Sequence, residues 1–340
     1  MSNTEPTPLE TLCESEGGSE IQILPPRLVP LGGPRGMTVR RTLPQRRRSL
    51  VGAWCFLDSY GPDDISATNG MNVPRHPHTG LATVSWLYTG EIDHLDSAGN
   101  SARVRPGEMN LMLAGRGITH QEFSAPQTTV LHGAQLWYAL PDSTREMEHE
   151  FIHYVPEAVV GDGWRLSVFL GSLAGSSSPV ETRTPPLLGA ELIMEPGASI
   201  DLTLDPAFEH ALLVDRGAPV ADGVALPKDH LAYFAPQRGE LRVVATDDDG
   251  AVRILLLGGE PLGEQIVMWW NFIGRSHEEV EAYRAIYQHE IGLEEAPAPG
   301  QLQAAGLPAG DAPRFGPYPA GQPAPLPAPV LPNARLRSRG

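Results

Sequence analysis

The sequence contains very little cysteine. Its 340 residues include only Cys13 and Cys55, and Cys13 lies in an acidic, polar opening stretch that we expect to be flexible. A structural disulfide between these two residues is therefore not expected, and the chain cannot be one of the small secreted domains that depend on several disulfides. This cysteine content favours a protein of the reducing cytoplasm.

The chain also lacks the segments that would direct it to a membrane or to nucleic acid. No apolar run approaches the roughly 20 residues of a membrane-spanning helix, and residues 1–20 have neither the basic start nor the apolar centre of a signal peptide. The formal net charge of −16 disfavours direct nucleic-acid binding, because that affinity comes from neutralising phosphates with Lys and Arg. We predict a cytoplasmic protein without a membrane or nucleic-acid partner.

Two short segments carry pairs of good metal ligands. They are His76-Pro-His78 and His120-Gln-Glu122. Because alternate residues of a β-strand point to one face, each pair can direct two side chains into the same interior. Three neutral imidazoles and one carboxylate suit Fe(II), and also Mn, Co, Ni, Cu or Zn. We therefore predict that His76, His78, His120 and Glu122 bind one divalent metal ion, with Fe(II) as the leading choice.

The residues around these pairs alternate short β-rich stretches with turns. Residues 81–88 are rich in β-formers, and Thr89-Gly90 and residues 97–100 form turn clusters. Short strands separated by tight turns are typical of antiparallel barrels and jelly rolls. A second run of similar strands follows, in which His210 and His230 occur only as isolated histidines. A small barrel lined by three histidines and a glutamate resembles a cupin. The predicted fold class is therefore all-β, with two tandem cupin (jelly-roll β-barrel) domains, a short C-terminal helix and a disordered tail rich in Pro and Ala.

Composition and motif order together predict the domain organisation. A capping-box pattern at Ser276 to Glu279 marks a helix start, and the Pro-, Ala- and Gly-rich end offers few large apolar side chains that could offset the entropy cost of ordering it. We expect this tail to be dispensable for the fold and for metal binding. The predicted units are a flexible head (1–26), an N-terminal metal-binding cupin (27–141), a linker (142–158), a metal-free C-terminal cupin (159–262), a closing segment with a helix (263–292) and a disordered tail (293–340).

Several longer motifs point to one known family. They lie in order between about residues 30 and 290, and include His76-Pro-His-Thr-Gly80, Gly90-Glu-Ile-Asp-His94, Ala114-Gly-Arg-Gly-Ile118, His132-Gly-Ala-Gln-Leu-Trp137 and Trp269-Trp-Asn-Phe-Ile-Gly-Arg-Ser-His277. With these motifs the chain resembles the pirins, the two-barrel branch of the cupin superfamily. The resemblance implies that the two histidines of the H-P-H segment and the His and Glu of the H-x-E segment hold the metal, which again selects His76, His78, His120 and Glu122.

One position departs from the general cupin pattern. Many cupins take a carboxylate ligand from a Glu four residues after the second His of H-x-H, and this chain has Ala82 there. Strand parity counted from His78 places position 82 inward, so Glu122 is expected to be the only carboxylate at the metal. The same parity directs Trp86 and Tyr88 inward, either as core filling or as a cover over a substrate.

Three further polar residues lie near these motifs. His94 and Asp96 are next to a turn, and we expect them to form hydrogen bonds at the surface or behind a ligand rather than to bind metal. His132 precedes Gln135-Leu-Trp137 and could either line the cavity or pack within the barrel.

The resemblance leaves two classes of function open. Some pirins act as dioxygenases on flavonols such as quercetin, in which case the chain takes a small phenolic substrate and dioxygen, and Glu122 also serves as the catalytic base. Other pirins are regulatory proteins whose metal site controls binding to a transcription factor or a metabolic enzyme. The two barrels already pair within one chain, so we expect a monomer in either case.

Overall fold

The computed structural model describes residues 21–31, 37–68, 70–246, 250–308 and 313–340. These residues are mainly β, as the sequence predicts, with two α-helices among the described residues. No helix within these ranges is long and apolar enough to cross a membrane.

The strands of the N-terminal half alternate with short turns. In chain order they are β1 (Gln22–Leu24), β2 (Arg27–Pro30), β3 (Thr38–Leu43), β4 (Trp54–Asp64), β5 (Asn72–His78), β6 (Leu81–Thr89), β7 (Ile92–Asp96), β8 (Ser101–Val104), β9 (Met109–Leu113), β10 (Ile118–Ser124), β11 (Val130–Ala139) and β12 (Glu150–Tyr154).

The C-terminal half repeats this pattern and then becomes helical. Its elements are β13 (Ala158–Gly161), β14 (Trp164–Leu170), β15 (Ser172–Leu173), β16 (Ser176–Ser177), β17 (Leu187–Met194), β18 (Ser199–Thr203), β19 (Glu209–Arg216), β20 (Pro219–Ala221), β21 (Val224–Ala225), β22 (Leu231–Phe234), β23 (Glu240–Ala245), β24 (Val252–Gly259), β25 (Val267–Trp269), β26 (Phe272–Gly274), α1 (His277–Glu290) and α2 (Pro299–Ala304).

Each barrel consists of a seven-stranded and a four-stranded antiparallel sheet. In the first barrel the orders are β12-β9-β6-β11-β4-β3-β2 and β5-β10-β7-β8. In the second they are β1-β22-β19-β24-β17-β14-β13 and β18-β23-β20-β21. The two barrels therefore have the same plan, and the prediction of two tandem jelly-roll β-barrels is confirmed.

The large sheets of the two barrels pack against each other through an apolar core. Trp86 of β6 stacks on Phe169 of β14 with ring centroids 4.6 Å apart. Trp54 of β4 donates from Nε1 to the carbonyl of Leu188 in β17, at 3.1 Å. Large aromatic side chains with a satisfied polar atom are well suited to such a buried contact.

Two strand pairings near the ends of the first barrel are not evident from the sequence. β1 pairs with β22 of the second barrel, although residues 21–26 belong to the predicted flexible head. That part of the prediction is wrong, because β1 has a free edge of the second barrel with which to pair; residues 1–20 lie outside the described residues. Within the predicted linker, β12 pairs with β9 of the first barrel.

The predicted helix is present as α1, and Ser276 is its N-cap, with its side chain accepting from the Glu279 amide at 3.1 Å.

The prediction of a disordered tail is wrong for the described residues after 293. Phe315 is fully buried in a cluster with Phe272 of β26 and with Tyr283 and Tyr287 of α1. The composition of the tail suggests that the entropy cost of ordering it would exceed any gain from burial. Burial of a few aromatic side chains offsets that cost.

We predict that the tail is needed for stability. Phe315→Ala should lower the free energy of unfolding by about 3–5 kcal/mol, because it leaves a cavity where an aromatic ring was buried. Val330 in the same tail is 81% exposed, so Val330→Ala should change stability by no more than about 0.5 kcal/mol. Urea unfolding of both variants measures the difference. Equal, small effects would contradict a packed tail.

Candidate metal centre

The two ligand pairs lie on neighbouring strands of the first barrel. β5 and β10 run antiparallel, with His120 directly opposite His76 and Ile118 opposite His78. His76 and His78 share a face because they are two residues apart, and His120 faces the same way across the ladder. The strand register therefore brings three histidines onto the inner face of the small sheet.

These three histidines form a compact cluster. One ring nitrogen from each of His76, His78 and His120 lies within 4.8 Å of the others. The Nε2 atoms of His78 and His120 are 3.1 Å apart. All three side chains are fully buried, so their nitrogens converge in a region that is shielded from solvent.

The hydrogen bonding of His76 indicates which nitrogen is available to a metal. Its Nδ1 lies 2.9 Å from the carbonyl oxygen of Pro74, which can only accept, so Nδ1 carries the proton. Within the described part of the chain, the buried Nε2 of His76 has no hydrogen-bond partner. A buried lone pair without a donor is costly, and a cation at this point would satisfy it. The donor set thus fits a divalent metal ion.

A bulge in β5 separates His76 from the position opposite Glu122. The register of the pair shifts so that Glu122 lies opposite Val73, and β5 has one residue more than β10 over this stretch. Pro74 lies in the extra segment, where a residue without an N–H group is tolerated. The Pro74 carbonyl lies in this bulge, and it orients the His76 ring by accepting a hydrogen bond from Nδ1.

Glu122 lies on the inner face next to the histidines and is 1% exposed. Its Oε1 lies 3.3 Å from the Ser85 hydroxyl, which has one proton to donate and lies closer, at 2.9 Å, to Gln135 Oε1. Glu122 Oε2 has no hydrogen-bond partner among the described residues. The carboxylate therefore has one restrained oxygen and one oxygen available to a cation or a proton.

The structure divides the predicted ligands into two overlapping groups. His76, His78 and His120 form one trio, whereas Glu122 groups within 4.8 Å with His120 and His94. His120 belongs to both, because one of its nitrogens faces His78 and the other faces His94. All four predicted residues thus lie in one buried region, and His94 joins them.

His94 and Asp96 lie behind His120. β7 pairs with β10 so that His94 is opposite Glu122 and Asp96 is opposite His120. The Nδ1 atoms of His94 and His120 are 3.3 Å apart, and His94 Nε2 is 3.5 Å from Asp96 Oδ2. Of the two roles that the sequence left open, a buried one behind a ligand fits this geometry. The sequence does contain a signal for this buried position, because His94 and Asp96 are two residues apart, as are the members of each ligand pair.

The sequence-based parity of β6 is wrong. Ser85 faces Glu122, so Ala82 and Trp86, at odd spacing from Ser85, lie on the opposite face, towards the second barrel. The chain turns between β5 and β6, and this turn breaks a parity count carried across it. Thr83 is the inward residue near this position and is 3% exposed.

Tyr88 and His132 lie at the barrel interface rather than beside the metal cluster. Their rings meet edge to face with centroids 4.8 Å apart. His132 Nε2 is 2.6 Å from Asp215 Oδ1 of the second barrel, and the Arg253 guanidinium lies over the Tyr88 ring. These contacts support the packing interpretation of both residues.

Burial sets the protonation of the three clustered histidines. Desolvation is the largest effect on His76, His78 and His120, and repulsion between neighbouring histidines adds to it for His78 and His120, so the pKa of each lies well below 6.5. A buried imidazolium would lack solvation and would face other rings. The histidines are therefore neutral at neutral pH, which is the form that binds metal.

Two described cavities lie away from this cluster. One, of about 310 Å³, lies near Arg47, Arg48 and Glu209. The other, of about 780 Å³, lies between α1, α2 and the tail, near Arg75 and Tyr318. Neither is lined by a histidine of the metal cluster.

Comparisons with known proteins agree with this architecture. Family models described as "Pirin" and "Pirin C-terminal cupin domain" match residues 36–138 and 189–290. A Pseudomonas aeruginosa protein named "Putative quercetin 2,3-dioxygenase" is 41% identical over 270 residues, which cover 79% of this chain and 84% of that protein. A pirin-like protein of Caulobacter vibrioides is 34% identical over 256 residues, covering 73% of this chain and 86% of the relative.

A solved structure is similar over nearly the whole chain. The crystal structure of a quercetin 2,3-dioxygenase from Acinetobacter baumannii superimposes with a TM-score of 0.81 and 34% sequence identity, covering 94% of this chain and 97% of the other. Fold and cluster together define a two-barrel cupin with a buried site suited to a divalent metal. With both family models matched, the chain belongs to the pirin family.

The histidine pKa values predict how the metal-free protein responds to acid. Each clustered histidine gains its proton only on unfolding, so the unfolded state binds more protons below pH 6.5 and stability falls as the pH drops from 7 towards 5. Each such group contributes a slope of at most about 1.4 kcal/mol per pH unit. His78→Gln should therefore show a shallower loss, measured by urea unfolding of metal-free protein at several pH values. Identical slopes would contradict burial of a neutral His78.

Proposed function

We propose that this pirin is a metal-dependent dioxygenase that opens the ring of a flavonol such as quercetin. Its ligands would be His76, His78, His120 and Glu122, all in the first barrel. Support comes from the converging neutral imidazoles, from the free carboxylate oxygen of Glu122, and from the names of the Pseudomonas relative and the Acinetobacter structure.

A metal held by His76, His78, His120 and Glu122 would supply Lewis-acid and redox chemistry to the reaction of a phenolic substrate with dioxygen. Fe(II) is our leading choice, and Mn, Co, Ni, Cu or Zn would also suit this donor set.

The observation that carries the catalytic proposal is the asymmetric environment of Glu122. Ser85 restrains one carboxylate oxygen, while the other has no partner among the residues that the structure describes. Glu122 Oε2 could release or weaken its bond to the metal and accept the hydroxyl proton of a flavonol, so that the substrate binds as an electron-rich anion. Gln135 Oε1, 2.9 Å from Ser85 Oγ, competes with Glu122 Oε1 for the single Ser85 hydroxyl proton.

A regulatory role is the second candidate, and burial of the cluster favours it. The side chains of His76, His78 and His120 are fully buried, so a bound metal could act on the surrounding strands without contacting a substrate. In that case the metal would set the shape of a surface that binds a transcription factor or a metabolic enzyme. For either function we propose a cytoplasmic monomer.

Substitution of Glu122 separates its two proposed roles. Glu122→Gln keeps nearly the same size and an oxygen ligand, so appreciable metal should remain bound, whereas flavonol turnover should fall on the order of 10²- to 10⁴-fold because an amide cannot take the proton. Flavonol-dependent oxygen consumption and metal content, measured on the same samples, test this prediction. Glu191→Gln is a matched control, since Glu191 is a buried carboxylate of the second barrel.

Undiminished turnover in metal-replete Glu122→Gln protein would rule out Glu122 as the base. If wild-type protein loaded with Fe, Mn, Co, Ni or Cu consumed no oxygen with any flavonol, the regulatory function would replace the enzymatic one.

A further inference from the structure

The last part of the chain runs over the outside of the metal-bearing sheet. We call residues 313–328 the C-terminal strap. The residues that it contacts on β5, β10 and β7 are Arg75, Thr119, Gln121 and Leu95. Because strand side chains alternate between faces, each of these residues is the sequence neighbour of an inward residue of the cluster.

Arg75 connects the strap to two strands. Its Nε donates to Thr119 Oγ1 at 3.0 Å, which joins β5 to β10. Its Nη2 donates to the Gly316 carbonyl at 3.1 Å, and the guanidinium lies 4.7 Å from the centroid of the Tyr318 ring. The planar guanidinium can make these contacts together, whereas a lysine ammonium cannot reproduce the fork.

The strap also contacts each of the three strands separately. The Leu326 amide donates to the Arg75 carbonyl at 2.8 Å. Tyr318 donates from its hydroxyl to the Leu95 carbonyl of β7 at 2.8 Å. Gln322 accepts from Gln121 of β10 at 2.7 Å.

β5 depends on such support because of its position. It is an edge strand, with β10 as its partner in the four-stranded sheet, and it contains the bulge that precedes His76. An edge strand has backbone groups without a ladder partner. The strap donates a hydrogen bond to the carbonyl of Arg75. Arg75 lies between Pro74, whose carbonyl orients the His76 ring, and His76 itself, so this hydrogen bond restrains the backbone on both sides.

We propose that the C-terminal strap positions the metal ligands, with Arg75 as its anchor on β5. None of the strap contacts described above involves a ligand side chain. It holds the backbones of β5 and β10 in the relative position that brings the nitrogens of His76, His78 and His120 together. This inference rests on the proposed metal binding at these residues, but it does not depend on the reaction that follows.

Cobalt binding to the metal-free full-length protein tests the proposal without any substrate. Arg75→Gln should weaken Co(II) binding by about 10- to 100-fold, the usual effect of losing a group that orients ligands, and should alter the visible absorption spectrum of the bound Co(II). Arg75→Lys keeps the charge over Tyr318 and should fall between wild type and Arg75→Gln. The control is Arg335→Gln, because Arg335 lies further along the tail in an exposed ion pair with Glu278; it should change affinity less than twofold.

The spectrum distinguishes positioning from stabilisation of the fold. A folded Arg75→Gln protein with a lower melting temperature but wild-type Co(II) affinity and spectrum would overturn the proposal. If Arg75→Gln does not fold, Tyr318→Phe removes only the hydroxyl bond to Leu95 and should still weaken Co(II) binding by about 2- to 10-fold; unchanged affinity would again overturn it. Absence of flavonol turnover in protein that binds Co(II) counts against the proposed dioxygenase alone.

Discussion

The antiparallel pairing of β5 with β10 is the constraint on which the metal centre depends. One register places His120 opposite His76 and next to His78. A shift by a single residue would turn one of the two ligand pairs to the outer face. The bulge in β5 is part of the same arrangement, since it positions the carbonyl that fixes the proton of His76.

The rest of the fold can be understood as support for this pairing. The large sheet of the first barrel lies against the second barrel through Trp54, Trp86 and Phe169, and Ser85 on its other face restrains Glu122. The small sheet, which carries the histidines, is covered on its outer side by the C-terminal strap. The large sheet on one side of the site thus packs against the second barrel, and the small sheet on the other side packs against the C-terminal strap.

Much of this architecture could be predicted from the sequence, because strand alternation and turn residues are local signals. The H-x-H and H-x-E pairs indicated the cluster, and the family resemblance gave the two barrels. Strand parity counted across the turn before β6 is wrong, and it places Trp86 and Tyr88 on the inner face although they lie on the opposite one. His94 was not expected to join the cluster, because its proximity to His120 depends on the pairing of β7 with β10.

The tail shows a different limit of sequence reasoning. Its composition resembles that of a disordered segment, yet Phe315, Tyr318 and Leu326 each have a specific partner on the body of the protein. Composition averages over residues, whereas ordering here depends on a few contacts spaced along an extended chain. Such contacts are non-local, and no window of the sequence contains both partners.

Anomalous diffraction from crystals of Co(II)-loaded protein would test the central claim most directly. The account predicts one strong peak in the first barrel, about 2.0–2.2 Å from Nε2 of His76, His78 and His120 and from a carboxylate oxygen of Glu122. A peak bound instead through His94 and Nδ1 of His120, or one located in the second barrel, would contradict it.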